Sequence, residues 1–257
     1  MPKGGVARRA TFIERERAQS PNVLVLDAGN AFFGEEARGR LILEAMNAMG
    51  YDAMAIGDRD FWFGVGGLRK LMAEAKFPFL SANIVLSDTG ELLAQPYIIK
   101  EIGGRKVGII GISSPVVTRI ANSPPGLAGP VKETVTVKDV LETARECVEK
   151  VRKETNIVIV LSNLGSDEDQ WLARSVPGIT VIVGGRDRVR LYPPLKIEET
   201  GTLIVQAYLA GEYMGRLHLT IDGQGVVTDY EGELVALTPD FPDDPEMKAL
   251  VEKLEGK

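Results

Sequence analysis

Soft metal ligands are nearly missing from this chain. Its 257 residues include one cysteine, Cys147, and one histidine, His218. A single cysteine excludes an internal disulfide framework and any cysteine-rich zinc or iron–sulfur site. With one histidine beside it, the chain has little to offer a transition metal. Long apolar runs are also absent. None approaches the roughly 18 residues that cross a bilayer, so an integral membrane protein is not expected. The opening MPKGGVARRA has no apolar stretch of the signal-peptide kind, which leaves the compartment open. Positive charge is not in excess either: 30 basic against 36 acidic residues give −6. Such a balance argues against a nucleic-acid partner.

The remaining composition is that of a globular chain, 44% hydrophobic and 26% charged. Strands and helices alternate along it. Helices are predicted at 5–19, 35–50, 66–76 and 137–154, the last with Thr136 and Asp139 in a capping-box-like arrangement. Buried strands are predicted at 22–29, 52–57, 77–84, 156–165 and 179–185, each a short apolar run. Gly103-Gly104 lies between two apolar runs over 96–113 and predicts a hairpin, because glycine supplies the positive φ of a tight turn. Residues 114–135 read as a long loop, and Ser166 as the cap of a short helix. From 195 onward the pattern is mostly β, until DPEMKALVEKLEGK returns to helix. Cys147 falls on the apolar side of its helix and reads as a packing residue. His218 alternates with Leu217 and Leu219, which puts it on the exposed face of a strand. This order suggests one domain of mixed sheets with helices outside.

Four of the predicted strands end in short polar loops: LDAGNAFFG (26–34), IGDRDFWFG (56–64), LSNLGSDED (161–169) and VGGRDR (183–188). Their order and spacing resemble the calcineurin-like metallophosphoesterase domain of bacterial 5′-nucleotidases and UDP-sugar hydrolases. The resemblance covers nearly the whole chain, including LEAMNAMGYDAMAIGDRDFWFG, FPFLSANI, VGIIGISSP, VPGITVIVGG and MGRLHLTID. It implies an α/β (α+β) fold, a four-layer αββα sandwich with mixed β-sheets, over 1–257. It also implies loops converging on two divalent metal ions that generate a hydroxide and clamp phosphoryl oxygens.

The family's ligand positions are altered here. Asn30 stands at the bridging aspartate, Asp58-Arg59 at the Asn-His pair, and Asn163 at the histidine after Ser162. Arg186 and Arg188, with Asp187 between them, replace the Gly-Gly-His-X-His histidines. Asp60 keeps an acid outside the main ligand set. Arginine stays protonated and offers donors only, so it is not a normal metal ligand. The expectation is a degenerate site with no metal cofactor and no catalytic residues, in a binding or interaction module. Three readings of the arginines stay open. Arg59, Arg186 and Arg188 pair with Asp58, Asp187 and Asp27 and replace the lost metal charge. Alternatively, they face a cleft and bind phosphate or sulfate. Or Asp27, Asn30, Asp58, Asp60 and Asn163 form an oxygen-only Mg²⁺ or Ca²⁺ site supporting hydrolysis through atypical ligands.

Phe61, Trp62 and Phe63 read as core, with base stacking as the alternative. Arg8 and Arg9 read as a solvated helix face. Relative to the family, the chain lacks the first Asp-X-His strand and the C-terminal nucleotide-specificity domain. Losing a central strand predicts an exposed sheet edge open to a protein partner. Extracytoplasmic placement follows from the resemblance alone.

Overall fold

The computed structural model describes residues 3–126 and 130–256. Helices α1 (Val6–Gln19), α2 (Glu36–Met49) and α3 (Gly64–Glu74) alternate with β1 (Leu26–Asp27), β2 (Ala53–Ala55) and β3 (Phe79–Leu80). Then come β4 (Ile84–Leu86), the hairpin β5 (Tyr97–Ile102) and β6 (Arg105–Ser113), α4 (Val116–Ala121), β7 (Val135–Val137) and α5 (Val140–Val151). The last part comprises β8 (Ile157–Asn163), α6 (Ser166–Ser175), β9 (Val181–Gly184), β10 (Arg190–Lys196), β11 (Leu203–Ala207), β12 (Tyr213–Ile221), β13 (Val227–Ala236) and α7 (Pro245–Glu255).

Four layers follow from which face each apolar side chain takes. A six-stranded sheet, ordered β10-β11-β9-β8-β6-β5, is central. The run IVIVL of β8 is buried on both faces, as an apolar strand must be when covered twice. Val158 and Val160 pack toward α5 and α6, with Cys147, Val148 and Leu172. Ile157, Ile159 and Leu161 point the other way, into Ala53, Ala55 and Leu80 of the parallel sheet β1-β2-β3. The outer face of that small sheet is covered by α1, α2 and α3, through Phe12, Ile13, Leu43, Met46 and Leu68. The β12–β13 hairpin lies on the same side of the large sheet, where Leu217, Leu219 and Ile221 join the inter-sheet cluster. The architecture is therefore αββα.

Several local expectations are corrected. The strand expected over 22–29 forms a ladder only at Leu26–Asp27. Upstream, the Val25 N–H donates to the Asp52 side chain rather than to a neighbouring strand. The 114–135 loop contains α4 and begins β7; residues 127–129 lie outside the described residues. Asp139 caps α5 by accepting from the Glu142 N–H, while Thr136 belongs to β7 and takes no part. Gly165, not Ser166, precedes α6, and the Ser166 N–H donates to Asp187 instead. The Gly103-Gly104 turn, with φ of 58° and 71°, is as expected.

Candidate functional site

The four predicted loops interlock at the C-terminal ends of β1, β2, β8 and β9, and glycine makes the close fit possible. A Cβ on Gly57 would come 2.3 Å from Asn30 Oδ1 and 2.8 Å from Asn163 Nδ2. One on Gly185 would come 2.7 Å from the Ala28 Cβ.

Asp60 organises this junction. It sits in a single 3-10 turn, Asp58–Phe61, and is 2% exposed. One carboxylate oxygen accepts from the N–H groups of Asn30 (2.9 Å) and Gly57 (2.8 Å), the other from Phe32 (2.9 Å). Burial pushes its pKa up to about 7, against the pull of those three donors. The sequence shows the acid but not this role, because its donors lie in two separate loops.

The remaining positions are wired to backbone. Asn30, at φ 68°, uses Oδ1 to accept from the Arg59 N–H at 2.8 Å. Fully buried Asn163 donates to the Ala28 carbonyl at 2.8 Å and accepts from the Asp58 N–H at 3.4 Å. Asp58 Oδ1 is buried with no hydrogen-bond partner, and its Oδ2 lies 3.9 Å from Arg186 Nε. Arg186 also donates to the Leu164 carbonyl at 3.2 Å.

The expected charge pairing is thus redistributed. Only Arg186–Asp58 forms among the pairs foreseen, and it is long. Asp187 instead accepts from the Ser166 N–H at 2.8 Å and from Gln206. Burial pushes its pKa up, but the Ser166 N–H and the Gln206 amide more than reverse this, and the net shift is downward. Asp27, raised chiefly by burial, faces Arg9. Arg9 donates to Tyr51 Oη at 3.2 Å and does not belong to a solvated face. Arg8 lies 3.4 Å from Asp243. Arg59 is exposed, its guanidinium 5.5 Å from the Phe33 ring centre, and Arg38 lies 5.4 Å from the same ring.

Asp27, Asn30, Arg59, Arg186 and Arg188 line one cleft of about 990 Å³. Phe61 is fully buried, while Trp62 and Phe63 pack near Gly126, away from that cleft. Phe33 also lines it, with Tyr192, Tyr208 and Tyr213 among the other aromatic residues. His218 is exposed on β12 and Cys147 is buried, as expected.

Another carboxylate escaped the sequence reading. Asp169 accepts from the Ser162 hydroxyl, and burial pushes its pKa up to about 8. Its Oδ2 and Gln206 Oε1 are both buried without partners. Both flank Gly184, where a Cβ would come 2.5 Å from the former and 3.0 Å from the latter.

The donor set does not fit a dication pair. Among the described residues no group of three His, Cys, Asp or Glu side chains could hold a metal. The oxygens of Asn30 and Asn163 already accept from backbone, and the orphaned Asp58 oxygen shares its carboxylate with an arginine. Calcium or magnesium would need about six oxygens. Among the described residues, no helix is long and apolar enough to cross a membrane.

No family model matches the chain. Over 98% of its length it is 36% identical to a snake venom 5′-nucleotidase of Gloydius brevicauda, covering 46% of that protein. Over 97% of its length it is 35% identical to human 5′-nucleotidase, covering 47% of it. The chain thus spans about half the length of the curated relatives it matches. Among solved structures, a 5′-nucleotidase precursor from Thermus thermophilus superposes with a TM-score of 0.88 at 34% identity, over 99% of this chain and 53% of that one. The calcineurin-like phosphoesterase YfkN from Bacillus subtilis, at 23% identity, shares the fold with a TM-score of 0.83 over all of this chain and 90% of its own. On this sequence similarity and this architecture, the chain belongs to the 5′-nucleotidase family.

Proposed function

We propose that this chain is a non-hydrolytic member of the 5′-nucleotidase family, a binding module whose loop site takes a small anion such as phosphate or sulfate. One observation carries the reading: Arg186 Nε lies 3.9 Å from the Asp58 carboxylate, where a bound dication would be repelled. Arg59 and Arg188 stand exposed on the same cleft and supply further guanidinium donors suited to a tetrahedral oxyanion. Without a metal-activated hydroxide the phosphoryl group is bound but not attacked. Three relatives are venom proteins by name, which supports an extracytoplasmic setting.

The test combines metal analysis, titration calorimetry with inorganic phosphate, and turnover of p-nitrophenyl phosphate with added Mn²⁺. The expected outcome is no stoichiometric divalent metal, saturable phosphate binding weakened by Arg186→Ala, and no turnover. Hydrolysis that depends on Mn²⁺ and disappears in Asp58→Ala would overturn it. That result would favour the second reading, an active phosphoric ester hydrolase, which rests on the identity to 5′-nucleotidases.

A further inference from the structure

Buried polar side chains run behind the loop that carries Arg186 and Arg188, and they end at a carboxylate the anion site does not touch. Asp169 on α6 is fully buried, and Gln206 on β11 is 2% exposed. Gln206 Nε2 donates twice to Asp187, to its main-chain carbonyl at 2.7 Å and to Oδ1 at 2.5 Å. Asp187 Oδ2 accepts from the Ser166 N–H at 2.8 Å. Asp187 stands between Arg186 and Arg188. These contacts therefore hold the segment that brings two of the three guanidinium groups to the cleft.

The Asp187 end fixes which way the Gln206 amide faces. Both Asp187 atoms are acceptors, so only the amide NH₂ group can point at them. The amide oxygen is turned the other way, toward Asp169. There Gln206 Oε1 and Asp169 Oδ2 are both buried without a hydrogen-bond partner. A Cβ on Gly184 would come 2.5 Å from Asp169 Oδ2 and 3.0 Å from Gln206 Oε1, so the two oxygens are at most 5.5 Å apart, the sum of those distances. The other Asp169 oxygen accepts from the Ser162 hydroxyl.

An ionised Asp169 would set an acceptor-only group against an amide oxygen. β8 presents Ser162 to it and β9 presents Gly184, neither of them charged. The charged groups that act on it are Asp187 of the β9–β10 loop and Glu168 of its own helix, both acids. Burial first, and then those two acids, outweigh the Ser162 hydroxyl and keep the carboxyl protonated at neutral pH. Once the proton leaves, two carboxylates compete for one amide donor. Asp187 is partly exposed, and water can replace the amide on its oxygens. Asp169 is out of water's reach, so the amide stabilises the molecule more by turning to it. That turn brings Oε1 against the carbonyl and carboxylate of Asp187, and the hold on the arginine segment is lost.

We propose that Asp169 is a proton-controlled positioning residue for the anion site: neutral, it leaves Gln206 clamped on Asp187 with Arg186 and Arg188 in place, and ionised, it draws the Gln206 amide to itself and releases that segment. Anion binding weakens as the carboxyl gives its proton to solvent. The consequence for binding rests on the anion reading, whereas the coupling of Asp169 to Gln206 and Asp187 needs no ligand.

The test follows the side chains and the anion separately. Carbon-13 NMR of the Asp169 carboxyl and nitrogen-15 NMR of the Gln206 side-chain amide are expected to share one midpoint at about 8. Calorimetry with sulfate, which does not titrate in this range, is expected to show affinity falling about tenfold across that midpoint, an ordinary scale for coupling between two sites. Asp169→Asn keeps a donor toward Gln206 and an acceptor for Ser162 without a charge, and should remove the fall. Asp60 titrates at about 7 in the parent and in this variant alike, so the part that Asp169→Asn removes belongs to Asp169. Three results would overturn the proposal. One is an Asp169 carboxyl already ionised below neutral pH, which would leave a buried water as the donor. Another is a Gln206 amide signal that does not move across the Asp169 midpoint, a reading that needs no variant to fold. The third is an unchanged pH dependence of sulfate affinity in folded Asp169→Asn. Absence of sulfate binding at every pH, with the shared NMR midpoint intact, would sink the anion reading alone.

Discussion

The loop junction around Asp60 and the cleft between β1 and β12 adjoin one another, yet they satisfy their backbones in opposite ways. At the junction, three N–H groups end on one buried carboxylate and two asparagine side chains fill the gaps left by glycines. In the cleft, among the described residues, β1 pairs only with β2 and β12 only with β13, and aliphatic side chains remain partly exposed. The difference teaches where to look for function in this member of the 5′-nucleotidase family. The loops at the junction are held by internal bonds, while the aliphatic side chains beside them stay partly exposed.

The comparison is broken most sharply at Asp60. Asp60→Ala should leave three buried donors unpaired and lower stability by about 3 kcal/mol or more, read from the urea midpoint. A loss under 1 kcal/mol would mean the junction is not the rigid partner in this contrast. Gly57→Ala comes next, at about 1–3 kcal/mol, because its methyl group must displace the Asn30 side chain.

A pH series sharpens the contrast. Asp60 and Asp169 have folded pKa values near 7 and 8, above their ordinary 3.8, so folding takes up protons. Their contribution is complete below about pH 4 and declines as pH rises through about 8. Asp169→Asn should flatten the upper part of that slope in denaturation measured from pH 5 to 9, and an unchanged slope would refute the assignment. On the cleft side, Leu219→Ala should cost only about 1 kcal/mol, less than a fully packed leucine, because the side chain is already part-exposed. The smallest effect is expected from Arg186→Ala, within about 1 kcal/mol, because its ion pair is long and partly solvated.

Much of the frame was legible in the sequence. The run IVIVL announced a strand covered on both faces, and Gly103-Gly104 announced a hairpin. The four loops after apolar runs were found because each carries glycine where chains must approach closely. The roles of Arg9 and Asp60 were not legible. Arg9 reads as one of two solvated arginines until Tyr51 and Asp27, both distant in sequence, fold against it. Asp60 reads as a leftover acid until two loops aim their amides at it. The short β1 also defied its pattern, since an apolar run forms a ladder only where a neighbour supplies one.

The left-handed turn at Asn30 has an evolutionary consequence. Asparagine and aspartate both tolerate that backbone, so the fold would accept an acid at this position without rebuilding the turn. Positions 186 and 188 differ, because an arginine there carries a long cationic side chain that an acid or amide would not replace in shape or charge. Asn30→Asp should therefore leave the stability read from the urea midpoint within about 1 kcal/mol of the parent.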